Sequence, residues 1–219
     1  MAEFTLKARP LAFHASCDKP YLNASCKVII PQSILQTLMD MSGNTIHSPI
    51  AFLLSQGDRE IISVGVEEFS APEGFIYLPS FIMETYWIPY ETEVTLRYQR
   101  VEKGTKISIK PHTTAFIDGK AKEKTFLENC LKKCYPVLRA GSTILIEDEG
   151  VEYYINITET EPEIMISTLD TDLEVEFKQP LDYVEPPPPP PPSIVEDMVM
   201  PKNRFVPFAG KGYRLGGNN

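Results

Sequence analysis

The stretch Lys27-Val28-Ile29-Ile30-Pro31-Gln32-Ser33-Ile34-Leu35 runs from branched apolar residues through a proline into an apolar pattern at helical spacing, which continues to Leu38 and Met39. The same pattern returns 48 positions later: Val28 falls on Ile76, Ile30 on Leu78, Pro31 on Pro79, Ile34 on Ile82, Leu35 on Met83, Leu38 on Tyr86 and Met39 on Trp87. Proline holds φ near −65° and is tolerated at the first helical position, so each copy reads as strand, proline, helix, with the helix starting at the proline. Two copies are too few for a repeat array, and a single barrel built from two related halves is expected.

Around these units lie further strand patterns at 50–54, 60–69, 93–101 and 106–110, separated by turn clusters such as Gln56-Gly57-Asp58 and Ala71-Pro72-Glu73-Gly74. Next comes a helix opened by Thr125-Phe126-Leu127-Glu128, at capping-box spacing, and ended before Pro136. Strand patterns at 142–146, 151–158, 164–169 and 173–177 follow, joined by acidic turns. The fold class is therefore mainly β with α+β character: a first subdomain over 1–114 and an α+β subdomain over 115–185. No flexible linker separates them, so they are expected to pack together.

Composition sharpens this division. The 219 residues are 42% hydrophobic and 23% charged, enough apolar matter for a full core, and the net charge of −9 has the wrong sign for a nucleic-acid binder. Seven of the 20 prolines are consecutive, Pro186 to Pro192. They are expected to form a stiff polyproline II spacer of roughly 22 Å at 3.1 Å per residue. Residues 193–219 are too poor in apolar side chains to form a core and read as a disordered tail. No apolar run is long enough to span a membrane, and MAEFTLKARP lacks the apolar stretch of a signal peptide, so a cytoplasmic or nuclear protein is expected.

Catalytic and metal chemistry finds little support. His14, His47 and His112 are far apart in sequence, without ligand spacing. Cys130 and Cys134 share an apolar helical stripe with Phe126, Leu127 and Leu131 and read as buried structural thiols. Leu169-Asp170-Thr171-Asp172 lacks the glycine of an aspartic-protease signature. No catalytic residue, metal ligand or cofactor is assigned. The terminal string from Phe208 to Gly217 is neither a Walker loop nor a dinucleotide fingerprint, because no strand precedes it and no helix follows. Phe205, Phe208 and Leu215 instead space apolar anchors around Gly210 and Gly212, as in a peptide that lies along a partner's sheet edge.

Several blocks together resemble the ubiquitin fusion degradation protein 1 family, adaptors of the valosin-containing AAA+ ATPase. They are Lys27 to Leu35, Gly65-Val66-Glu67-Glu68-Phe69 leading through Glu73-Gly74 to Tyr77-Leu78-Pro79, Leu127-Glu128-Asn129, and Leu173 to Phe177 followed by Pro180-Leu181-Asp182-Tyr183. The resemblance implies a double-psi β-barrel for the first subdomain and an α/β roll for the second. It also implies polyubiquitin binding by the body, action in ubiquitin-dependent and ER-associated degradation, and presence at the cytosolic face of the endoplasmic reticulum. Phe208, Gly210, Gly212 and Leu215 match the short Phe-x-Gly-x-Gly-x-x-Leu box that docks on the ATPase N-terminal domain. Family members usually carry a longer region after the folded part, with more than one box and a segment binding the co-adaptor nuclear protein localization protein 4. The single box here leaves assembly with that co-adaptor in question. The alternatives are an enzyme on a double-psi barrel, or a scaffold recruited through its prolines. The sequence does not locate the ubiquitin-binding surface.

Overall fold

In the first half of the body, apolar residues at alternate positions of Phe4-Thr5-Leu6-Lys7-Ala8 form β1 (Glu3–Pro10), whose Leu6 and Ala8 point inward. The computed structural model describes residues 2–43, 45–119 and 124–184. After β1, three short 3-10 turns between Leu11 and Leu22 lead to β2 (Lys27–Pro31) and α1 (Gln32–Ser42), then to β3 (Ala51–Gln56). The second half repeats the order with β4 (Arg59–Ala71), β5 (Phe75–Leu78), α2 (Ser80–Tyr86) and β6 (Glu93–Gln99). The six strands close into a barrel in the order β1-β5-β2-β4-β3-β6.

This order is symmetric. Exchanging β1 with β4, β2 with β5 and β3 with β6 returns the same ring in reverse, with every parallel and antiparallel pairing kept. The register carries the same symmetry. Ile29 pairs with Tyr77, its own counterpart 48 positions on, and Leu54 pairs with Leu96 across the β3–β6 ladder. A two-fold axis between the halves requires such self-paired residues. The doubled strand-proline-helix unit is therefore a doubled half-barrel.

Two local details differ from the sequence reading. Pro31, the last residue of β2, and Pro79, just after β5, have ψ values of 151° and 139° and occupy the N-cap positions, so the helices begin one residue later. Proline's φ suits both conformations, which leaves ψ to decide. α1 ends as expected on Gly43, left-handed at φ 60°, whereas α2 ends on Trp87, left-handed at φ 57°.

β8 (Lys106–Pro111) follows the short β7 (Glu102–Lys103) and pairs with no barrel strand. It sits between β11 (Val151–Glu161) and β13 (Glu174–Phe177) in a sheet of order β10-β11-β8-β13, where β10 is Thr143–Asp148. The strand at 106–110, grouped with the first subdomain in a division at 114, thus pairs wholly within the second sheet. A three-stranded sheet joins β7 to β12 (Met165–Ser167) and β9 (Val137–Arg139). The helices α3 (Thr114–Asp118) and α4 (Lys124–Cys134) connect these strands, and Thr125 lies inside α4 rather than capping it. One continuous core runs from Phe52, Leu54, Ile76 and Leu96 in the barrel to Phe116, Tyr135, Ile155 and Ile166 beyond it. Burying each such side chain contributes roughly 1.5–3 kcal/mol, so the two parts stabilise each other within the single compact unit Met1–Tyr183. The expected polyproline spacer, 186–192, and tail, 193–219, lie outside the described residues.

Candidate functional site

Barrel and second sheet meet along a seam that begins at Cys26, just before β2. Its N–H donates to the Cys134 carbonyl at 3.1 Å, and its thiol to the Val137 carbonyl at 3.5 Å. On β4, Gly65 faces Pro136 so closely that an added Cβ would lie 2.6 Å from Pro136 Cγ. At the end of α2 the Tyr86 hydroxyl donates to the Thr143 carbonyl at 3.2 Å and accepts from the Thr143 N–H at 2.8 Å. Arg139 and Arg97 both pair with Glu60.

A mostly apolar cleft of about 340 Å3 opens at this seam, lined by Tyr21 from the 3-10 segment, Phe126, Cys130 and Cys134 from α4, and Tyr135 and Leu145. Burial pushes the Cys134 thiol up to about 11, with Cys130 adding to it, and burial likewise raises Cys130. Burial takes Cys26 up to about 12. Thiols raised in this way are weak nucleophiles at neutral pH. The cleft therefore has the chemistry of an apolar receptor, not of a thiol centre.

Tyr21 is held at the cleft by Glu67, which accepts from its hydroxyl at 2.9 Å, from Lys19 at 2.9 Å and from Lys27 at 3.0 Å. Lys133 of α4 lies 4.6 Å from the Tyr21 ring centre, a cation–π contact across the seam. Burial alone would raise the Glu67 pKa, but hydrogen bonds from Lys19, Lys27 and Tyr21 outweigh it and bring the carboxyl down to about 2. A carboxylate lowered from its ordinary value of 4.5 stabilises the fold above that pH and loses this contribution as pH falls toward 2. Glu67→Gln should thus lower stability by about 1–2 kcal/mol at neutral pH, once solvent around the partly exposed Lys19 is allowed for. The gap from the native protein should close as pH drops below 4.5. Urea unfolding of both proteins at pH 7, 4 and 3 measures it.

The three histidines do not converge. His14 lies beside Ser70 at 3.3 Å and the Tyr77 ring, His47 pairs with Arg100, and His112 meets Asn156 at 2.9 Å. Among the described residues no group of three or more His, Cys, Asp or Glu is arranged to hold a metal ion. The docking-box residues Phe205, Phe208, Gly210, Gly212 and Leu215 lie outside the described residues.

Trp87 departs most from its sequence pattern. Placed by spacing on the same helical stripe as Ile82, Met83 and Tyr86, which are buried, it is 82% exposed. The helix stops at Tyr86, and Trp87 turns out in the left-handed conformation. The seam cleft was not legible in sequence either, since its walls come from residues near 21 and near 130. The one local signal was Tyr21 beside Pro20, an aromatic in a polar stretch.

Comparison with known proteins gives a consistent answer over the whole body. Residues 3–107 match the family described as ubiquitin fusion degradation protein UFD1, N-terminal subdomain 1, and residues 103–180 match its N-terminal subdomain 2. The chain is 31% identical over 186 residues to the ubiquitin fusion degradation protein 1 homolog of Dictyostelium discoideum, covering 84% of this chain and 54% of that one. It is 32% identical over 168 residues to ubiquitin fusion degradation protein 1 of Saccharomyces cerevisiae, covering 75% and 45%. It is 29% identical over 170 residues to the human ubiquitin recognition factor in ER-associated degradation protein 1, covering 77% and 54%. The chain spans about half the length of the curated relatives it matches.

Proposed function

Because the chain belongs to the ubiquitin fusion degradation protein 1 family, we propose that it is a non-enzymatic adaptor in ubiquitin-dependent protein degradation, including ER-associated degradation. The observation that carries this reading is the match of both N-terminal subdomains, in order, over 3–107 and 103–180 of a body made of a closed barrel and a packed second sheet. The body binds polyubiquitinated clients. The box around Phe208 and Leu215 recruits the valosin-containing AAA+ ATPase. A co-adaptor of the nuclear protein localization protein 4 type would have to bind a segment not recognised in this sequence. The working place is the cytoplasm, the nucleus and the cytosolic face of the endoplasmic reticulum.

The non-enzymatic part is supported by the names of the relatives, which are degradation and recognition factors, and by the raised pKa of the cleft thiols. Affinity purification of the intact protein, with identification of what accompanies it, tests the reading together with titration of purified tetraubiquitin. Ubiquitin conjugates and the ATPase should copurify, and tetraubiquitin should bind with micromolar affinity, about −8 kcal/mol. Absence of tetraubiquitin binding would refute the ubiquitin half, and absence of the ATPase the other.

A further inference from the structure

The segment from Trp87 to Glu91 is tied to β1 through its backbone, the Glu91 N–H donating to the Ala8 carbonyl at 2.7 Å, and carries large rings outside the core. Trp87 is 82% exposed and Tyr90 55%, and Phe13 from the 3-10 segment, itself 67% exposed, meets the Tyr90 ring edge-on at 5.9 Å. Three large aromatics thus stand in solvent, Phe13 against Tyr90 and Trp87 three residues before Tyr90 in the chain, and exposed aromatic surface of this kind marks interaction sites. Trp87 and Glu91, at the two ends of the segment, are both left-handed with φ of 57°, and they are half of the four non-glycine residues with positive φ among the described residues. Such conformations are strained for L side chains and persist where surrounding structure enforces them, often at binding sites. Here Ile88 is the anchor: it is buried, and its N–H donates to the Met83 carbonyl at 2.9 Å. Pro89 stiffens the next position. The loop is a fixed platform with its tryptophan turned outward.

Beside it lies an open groove of about 430 Å3 lined by Met83, Glu84, Trp87, Ile88 and Pro89. Among the described residues Glu84 is the one charged residue lining the groove, and the charges beyond it include Glu91, Arg9, Arg59 and, near Glu91, the exposed Lys7. Glu84 is exposed at the groove, Glu91 pairs with Arg9 at 2.5 Å, Arg9 also covers the Phe75 ring, and Arg59 donates to the Tyr86 carbonyl at 3.3 Å. With an apolar lining and the exposed Glu84 at its edge, the complement of this surface is a folded partner offering aliphatic side chains edged by lysine and arginine. We propose that this partner is ubiquitin, and that Trp87, Tyr90 and Phe13 are the body's ubiquitin-binding surface. This rests on the ubiquitin-binding reading above and adds its location. Exposed aromatics of this kind supply hot-spot energy at interfaces, with low entropy cost when already held in place.

Trp87 is the chain's one tryptophan, so its fluorescence reports on the loop alone. Tetraubiquitin free of tryptophan is titrated into the full chain, into Trp87→Gly, and into Phe13→Ala/Tyr90→Ala. Glycine accepts the left-handed backbone at this position, so Trp87→Gly removes the ring without disturbing the turn, and unchanged thermal unfolding verifies this. The expected result is a blue shift of Trp87 emission on binding and a loss of affinity of at least tenfold in both variants. If native protein and variants bind tetraubiquitin equally and the emission does not move, the surface is elsewhere and only the location fails. If the native protein does not bind tetraubiquitin at all, the underlying reading fails with it. Concentration-dependent dimerisation lost in Trp87→Gly, with ubiquitin binding unchanged, would assign the patch to a second copy and overturn the proposal.

Discussion

Substituting Gly65 by valine is expected to destabilise the body by about 2–3 kcal/mol, which at this size lowers the thermal midpoint by roughly 4–12 °C. Gly65 needs no unusual backbone conformation; its requirement is close approach, since even a methyl group would lie 2.6 Å from Pro136 Cγ. Neither side can withdraw cheaply. On the barrel side, the Gly65 N–H donates to the Cys26 carbonyl at 3.1 Å, and the residue is registered against Lys27 on β2 and Ala51 on β3. On the other side, the Tyr135 carbonyl accepts from the Thr168 hydroxyl at 2.6 Å, and the Pro136 carbonyl accepts from the Thr168 N–H at 3.1 Å. The Cys134 and Val137 carbonyls are both taken by Cys26. Moving Pro136 away would break hydrogen bonds in both parts, so the overlap becomes strain or separation of the shared core. Ser63→Ala, two residues earlier on β4, is the control. Its buried hydroxyl has no hydrogen-bond partner, so the substitution should be neutral or slightly stabilising. Chemical denaturation of the three proteins checks both, and an unchanged midpoint for Gly65→Val would contradict the account of the seam.

The doubled half-barrel was legible because β2–α1 and β5–α2 share one offset, 48, so that a single overlay aligns them. The outer strands were harder. Register relates Phe52 to Val94 at 42 positions and Leu6 to Val64 at 58, since connections of different length separate them from the aligned units. Strand β1 carries the weakest local pattern of the six barrel strands. Its alternation, Phe4, Leu6, Ala8, is brief and set among charges, and its place between β5 and β6 is fixed only by long-range pairing. The exposure of Trp87 was invisible for a related reason. Apolar spacing continues through it, and nothing as plain as the glycine that stops α1 marks the point where α2 ends. The candidate surfaces depend on where chains turn and meet, so residues near 21 and 130 could define a cleft that neither neighbourhood announces. The proposed tail box is the converse case, a short linear pattern that needs no fold around it to be read but gains its meaning only from the body that precedes it.

That box gives the second large effect. Phe208→Ala and Leu215→Ala should each weaken binding of the tail to the ATPase N-terminal domain by about 10- to 100-fold, since each removes a side chain whose burial contributes roughly 1.5–3 kcal/mol. The margin is narrow because ordering a flexible segment on a partner costs about 1 kcal/mol or more per residue. In the proposed docking, backbone hydrogen bonds along a sheet edge would offset part of that cost, and the expected net is micromolar binding that cannot spare an anchor. Gly210 and Gly212 enter differently: a side chain there would hold the backbone away from the partner, so Gly212→Val should lose binding although every apolar anchor remains. Phe205→Ala, outside the Phe-x-Gly-x-Gly-x-x-Leu spacing, should have a smaller effect. None of these changes should alter unfolding of the body, whose core among the described residues runs from Ala2 to Ile166. Calorimetry with the isolated ATPase domain separates the intrinsic loss from the avidity that a hexamer or a ubiquitin chain would restore. Equal affinity of the native chain, Phe208→Ala and Leu215→Ala for that domain would show that the ATPase, if bound, is held elsewhere.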